Sequence, residues 1–177
     1  MISALHGTPR ADAHLRFVVD ELKPAIDARD LTLPGRETTF LMGSCMGALI
    51  SIHALNGQPQ VFGGAPGLSV HRVGMGEPNA AFPLSAFNHL NERLTAPQGR
   101  RLYLNRGTSE PDAMYGPCQS FVDDVAHDRC WRQGSVTSRV FEGTGPNERA
   151  SVAARSLAPR FAPALTLALA PAPRLRP

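Results

Sequence analysis

Five consecutive residues, Gly43-Ser44-Cys45-Met46-Gly47, combine a nucleophilic side chain with the glycines of a tight turn. A Gly-x-nucleophile-x-Gly turn between a strand and a helix is typical of a nucleophile elbow, whose middle residue has a strained backbone. The positive end of the helix dipole favours the thiolate form of a cysteine placed there. The sequence therefore predicts Cys45 as a nucleophile, and the backbone N–H of Met46 as one half of an oxyanion hole.

The segments on either side of this turn have the patterns that such an elbow requires. Thr38–Met42 is rich in residues that favour β-structure and predicts a short buried strand. After the turn, apolar residues recur at the helical period: Met46, Leu49, Ile50 and Ala54. The alternative is that Cys45 is a buried structural cysteine in a tight strand-to-helix turn.

Strand and helix patterns alternate along the rest of the chain. Helices are predicted over residues 11–28, 84–94, 111–129 and 147–161, and Pro24 is expected to bend the first of them. Further strands are predicted over residues 61–65, 101–105 and 136–141. This alternation indicates a parallel α/β sheet with helices on both faces.

Length and composition indicate one soluble domain. The 177 residues are 42% hydrophobic and 19% charged, which excludes a disordered or collagen-like chain. We expect a single domain over residues 1–161, followed by a flexible Ala/Pro/Arg-rich tail over residues 162–177. The apolar stretches are too short to span a membrane, and the first ten residues have no secretory pattern.

The charged and sulfur-containing residues limit the expected partners and cofactors. All but one of the 18 basic residues are Arg, yet no basic run interleaves with aromatic residues, so we expect no nucleic-acid partner. We find no phosphate-binding glycine loop and no metal-ligand spacing, and we therefore expect neither cofactor nor metal. The three cysteines cannot all pair with one another, which favours a reduced compartment and hence the cytoplasm.

Most of the chain resembles a known family of enzymes. The similarity covers about residues 11–161 and lies in "ADAHLRFVVDELKPAIDARDLTLPGRETTFLMGSCMGALISIHAL", "PQVFGGAPGLSVH", "RLYLNRGTSEPDAMYGPCQSFVDDV" and "SRVFEGTGPNERA". These segments resemble the esterase family of α/β-hydrolases that includes esterase D-like and siderophore-ester hydrolases. The resemblance implies an α/β-hydrolase fold, with the nucleophile at Cys45 and the acid that orients the base at Asp112. The histidine that serves as the base in this family falls at Pro146.

Two of these three positions depart from the pattern of the family. Cys45 replaces a serine, and a thiolate is a competent nucleophile. Pro146 replaces the histidine, and a proline side chain can neither accept nor donate a proton, so we expect impaired activity. His71, which follows the second strand in "GLSVH", is the candidate for a substitute base or a substrate contact.

The resemblance begins at the helix that precedes the predicted strand Thr38–Met42, so the N-terminal strands of the full fold are expected to be lacking. Thr38–Met42 would then be an exposed apolar edge. We expect this edge either to pair with a second copy, giving a homo-oligomer, or to be covered by the N-terminal segment.

Three interpretations of the function remain at this point. The first is a hydrolase of small-molecule carboxylic esters or thioesters, impaired in activity. The second is a non-catalytic scaffold or binding module with the same fold and no membrane or nucleic-acid partner. The third is a partial reading frame that has no function.

Overall fold

A parallel β-sheet forms the centre of the computed structural model, which describes residues 10–70, 92–110 and 112–145. Four strands pair in chain order: β1 (Gly43–Ser44), β2 (Gly64–Leu68), β3 (Arg101–Gly107) and β4 (Val136–Phe141). Every neighbouring pair is parallel, which confirms the predicted α/β fold. β4 has the predicted bounds, whereas β2 lies three residues later than predicted and β3 extends two residues further.

Four α-helices are present in the described ranges: α1 (Ala11–Arg16), α2 (Lys23–Arg29), α3 (Met46–Gly57) and α4 (Gly116–Asp128). A π-helical segment, Phe17–Leu22, joins α1 to α2. Short 3₁₀ segments, Arg36–Thr38 and Asp112–Tyr115, precede β1 and α4. None of the helices in these ranges combines the length and apolar character needed to cross a bilayer.

The π-helical segment explains why the first helix buries only half of its predicted apolar face. Leu15 is buried and packs with Val18 and Val19 against α3, as the helical period predicts. Leu22 and Ile26, which were predicted on the same face, are 41% and 37% exposed. A π turn contains an additional residue and therefore rotates the residues after it away from the face established before it. The segment ends directly before Lys23-Pro24, where proline cannot donate the next helical hydrogen bond.

The predicted strand Thr38–Met42 is the main error in the sequence-based fold. Thr38 ends a 3₁₀ helix, and Phe40 forms only an isolated bridge with Gly64. Regular pairing begins later, at Gly43, and β1 is two residues long.

Pro66, at the centre of β2, explains why regular pairing with β1 begins only at Gly43. The carbonyls of Gly64 and Leu68 accept hydrogen bonds from the N–H groups of Leu41 and Cys45, so alternate residues of β2 face the β1 side. Pro66 lies between them on that side and has no N–H to donate. The ladder is therefore interrupted where the sequence predicted a continuous strand.

β1 is the edge strand of the sheet within the described ranges, and the neighbouring Met42 is 61% exposed. The pairing of this edge with a second copy or with the N-terminal segment stays a prediction. His71, Pro146, the helix predicted over residues 147–161 and the tail lie outside the described residues, as does the helix predicted over 84–94 except for its last three positions.

A buried arginine connects α3 to the start of β3. Arg100 is fully buried, and its guanidinium donates to the carbonyl of Leu55 near the end of α3, at 2.7 Å. It also donates to Thr95, Ala96 and Pro97, and it lies 5.7 Å from the ring centroid of Trp131. Burial lowers the pKa of Arg100, and the nearby charge of Arg36 lowers it further. Backbone dipoles thus solvate this cation in the core.

We expect Arg100→Met to lower the free energy of unfolding by about 2–4 kcal/mol, because several buried carbonyls lose charged donors. Urea unfolding followed by circular dichroism measures this change. Arg132→Met is the matched control, since Arg132 is exposed and also donates to two backbone carbonyls. An equal effect of both substitutions would contradict the structural role of Arg100.

Candidate active site

Cys45 occupies the single residue between β1 and α3. Its backbone has φ 58° and ψ −119°, in the positive-φ region that residues other than glycine rarely adopt. Its N–H donates to the carbonyl of Leu68 at the end of β2, at 3.0 Å. The thiol is free and the residue is exposed, so the alternative of a buried structural cysteine does not hold.

Gly43 allows the strand and the helix to approach each other closely at this turn. A Cβ atom at Gly43 would lie 2.3 Å from the carbonyl carbon and oxygen of Gly47, a distance at which the backbone would have to move. A Cβ at Gly47 would meet no neighbouring atom within 4 Å. The close approach therefore requires glycine at position 43 and not at position 47.

Met46 is the first residue of α3 and follows Cys45 directly. The first N–H groups of an α-helix have no acceptor within the helix, and the positive end of the helix dipole lies there. The first turn closes with a hydrogen bond from the N–H of Ala48 to the carbonyl of Cys45, at 3.1 Å. The Met46 N–H thus belongs to the helix N-terminus that directly follows Cys45.

Asp112 lies in the connection from β3 to α4 and is almost completely buried. One carboxylate oxygen, Oδ2, accepts hydrogen bonds from the Ser69 hydroxyl at 2.8 Å and from the Gly107 N–H at 2.7 Å. The other oxygen, Oδ1, is buried and has no hydrogen-bond partner among the described residues. A buried carboxylate oxygen without a donor is costly, and such atoms occur at sites where function requires them.

Ser69 is a residue of this site that the sequence patterns did not indicate. It is buried directly after β2, with φ 44°. Its N–H lies 2.9 Å from the side-chain oxygen of Asn105 and 3.0 Å from the carbonyl of the same residue. The signal that could have identified it is a polar residue at the carboxyl end of a buried parallel strand, where ligand sites of α/β sheets are found.

The sheet brings three polar positions to the same edge. Cys45, Ser69 and Asp112 each follow the carboxyl end of a different neighbouring strand, β1, β2 and β3. Leu68 and Ser69 are adjacent in the chain and connect the turn to the carboxylate. Leu68 accepts a hydrogen bond from Cys45, and Ser69 donates one to Asp112.

Two further polar residues, His53 and Asp123, have partners away from the Cys45 turn. His53 on α3 lies 2.9 Å from Asp12 on α1, and this hydrogen bond lowers the pKa of Asp12. Asp123 on α4 accepts a hydrogen bond from Ser138, and burial raises its pKa. In the described parts of the chain no group of three or more His, Cys, Asp or Glu side chains could hold a metal ion.

Comparisons with known proteins identify the family and the fold of this chain. The family model described as "Putative esterase" matches residues 3–156. The enterochelin esterase of Shigella flexneri is structurally similar, with a TM-score of 0.61 and 19% sequence identity over 85% of this chain and 37% of that chain. The ferric enterobactin esterase of Salmonella typhimurium is similar at a TM-score of 0.60 and 19% identity, over 85% of this chain and 36% of that chain.

The chain therefore spans little more than a third of the length of these solved structures. No curated protein matches the sequence significantly. The family match covers most of the sequence, and the parallel sheet is the fold of the similar esterases. The chain belongs to the esterase family of α/β-hydrolases.

Proposed function

We propose that this protein hydrolyses carboxylic esters or thioesters through a covalent acyl intermediate on Cys45. The observation that carries the proposal is the exposed thiol at a positive-φ position, between the end of β1 and the first turn of α3. A nucleophile in this position can approach a carbonyl carbon while the helix N-terminus stabilises the negative charge that develops.

The proposed reaction has two steps. In the first, the thiolate of Cys45 attacks the carbonyl carbon, a C–S bond forms, and the carbonyl oxygen becomes an oxyanion that accepts a hydrogen bond from the Met46 N–H. The tetrahedral intermediate collapses, the bond to the leaving group breaks, and the leaving group takes a proton from the solvent. In the second, water attacks the acyl group, the C–S bond breaks, a carboxylic acid and the thiolate are released, and one proton returns to the solvent.

The proton transfers limit the rate that we expect for this reaction. In the family a histidine, oriented by the acid, moves these protons, and Pro146 occupies its position in this sequence. A thiolate can attack without that base, but water must then attack the acyl group without general-base assistance. We therefore propose that the second step is slow and that the acyl intermediate accumulates. His71 would remove this limit if it supplied the base.

The proposed substrate is a small molecule containing an ester bond. The similar structures are esterases of enterochelin and enterobactin, and one of them was determined in the presence of enterobactin. The ester bond is the feature that we transfer from them to this chain. The exposed free thiols of Cys45 and Cys130 fit a reduced compartment, and we propose the cytoplasm as the location.

A second candidate function is a non-catalytic binding module with the same fold. Pro146 favours this candidate, because a proline side chain cannot transfer protons. A fold can remain after its catalytic function is lost. Hydrolysis measured on one cysteine variant distinguishes the two candidates.

We expect Cys45→Ala to abolish the protein-dependent hydrolysis of a short-chain p-nitrophenyl ester, including the initial burst of p-nitrophenol, because the attacking atom is removed. Stopped-flow absorbance measures the burst and the slow phase separately. Cys130→Ala is a close control, since Cys130 is also exposed, also free and also at positive φ, but follows the end of α4. Equal hydrolysis by wild type and Cys45→Ala would exclude the enzyme and leave the binding module.

We expect Pro146→His to raise the rate of the slow phase by about 10²–10⁴-fold, the usual contribution of a general base. Adding Cys45→Ser should produce a useful esterase only in the Pro146→His background, because a serine hydroxyl depends on the base more than a thiolate does. The two substitutions should therefore be strongly non-additive in steady-state assays of both single variants and the double variant. A well-folded double variant without any gain would show that the lost base does not limit the reaction.

A further inference from the structure

We propose that Ser69 is a positioning residue for Asp112: its hydroxyl holds one carboxylate oxygen, so that the other oxygen remains free to orient a base beside Cys45. This inference rests on the proposed function, because it assigns Asp112 the role of the acid.

The two oxygens of Asp112 have different surroundings. Oδ2 accepts two hydrogen bonds, from the Ser69 hydroxyl and from the backbone of Gly107, and these fix the plane of the carboxylate. Oδ1 has no donor among the described residues, although it is buried. The donor at Gly107 is a backbone N–H, whereas the hydroxyl donor depends on the identity of residue 69.

Ser69 is itself held in a defined orientation. It has φ 44°, in the left-handed region, and its N–H is directed at Asn105 on the neighbouring strand, which offers two acceptor oxygens. Asn105 is buried, and its side-chain amide lies 3.4 Å from the hydroxyl of Tyr103. A buried chain of polar groups therefore extends from β3 through Ser69 to Asp112, and such networks lock the rotamers of their members.

The same segment contacts the turn that carries the nucleophile. The carbonyl of Leu68, the residue before Ser69, accepts the hydrogen bond from the N–H of Cys45. Residues 68 and 69 thus connect to the nucleophile through the backbone and to the acid through a side chain. This short connection fixes the carboxylate relative to the Cys45 turn, which is the geometry that a base placed between them requires.

The test uses Ser69→Ala and Ser69→Gly in the full-length chain, with and without Pro146→His. Glycine adopts positive φ without strain, so Ser69→Gly removes the hydroxyl in a chain that folds even where Ser69→Ala does not. Ser138→Ala is the matched control, because the hydroxyl of Ser138 also donates to an aspartate, Asp123, at 3.0 Å but on an exposed part of the fold. Hydrogen exchange of the Gly107 amide, followed by NMR, reports on the carboxylate without requiring any activity.

We expect both Ser69 variants to increase the exchange rate of the Gly107 amide by about tenfold, because the released carboxylate can rotate away from its N–H. In the Pro146→His background both should lower kcat by about 10- to 100-fold with KM unchanged, the loss expected for one hydrogen bond to a charged group. Once Asp112→Asn is present, the Ser69 substitution should cost nothing further. Ser138→Ala should change none of these quantities.

Unchanged exchange at Gly107 in both Ser69 variants would overturn the inference, whatever the activity. The inference would also fail if Asp112→Asn lowered kcat and the Ser69 variants did not, or if Ser69→Ala cost as much with Asp112→Asn as without it. Faster exchange at Gly107, with no effect of Asp112→Asn on the rate, would support the anchoring by Ser69 and refute the proposed role of Asp112.

Discussion

The close contact between Gly43 and Gly47 is the constraint on which the candidate site depends. Any Cβ at Gly43 would lie 2.3 Å from the backbone of Gly47, so only glycine lets the chain turn from β1 into α3 within one residue. That turn forces Cys45 into positive φ and leaves its thiol exposed at the beginning of the helix. The strain of such a conformation is about 1–3 kcal/mol and persists only where the surrounding structure holds it.

The parallel sheet and the buried contacts supply that support. The N–H of Cys45 is held by the end of β2, and the far end of α3 is held by the guanidinium of Arg100. The connection from β3 to α4 places Asp112 at the same edge of the sheet as Cys45, and Asp112 accepts a hydrogen bond from Ser69. In the function that we propose, Cys45 is the nucleophile, the Met46 N–H donates to the oxyanion and Asp112 is the acid, while Pro146 stands at the position proposed for the base.

The sequence predicted those features that depend on local pattern. The turn at Cys45, the strand Val136–Phe141 and the helix ending near residue 129 all follow from periodicity and from glycine positions. The strand over residues 38–42 was mispredicted because its pairing depends on Pro66, a residue of the partner strand. Ser69 was missed because its role arises from hydrogen bonds to Asn105 and Asp112, 36 and 43 residues away in the chain.

Trapping the proposed acyl intermediate on Cys45 is the most direct test of the proposed reaction. The protein is mixed with a p-nitrophenyl ester, quenched with acid after the burst, digested, and mapped by mass spectrometry. We expect the acyl group on the peptide containing Cys45, and not on that containing Cys130, which is also exposed. An acyl group on neither cysteine, or on both to the same extent, would contradict the proposed reaction.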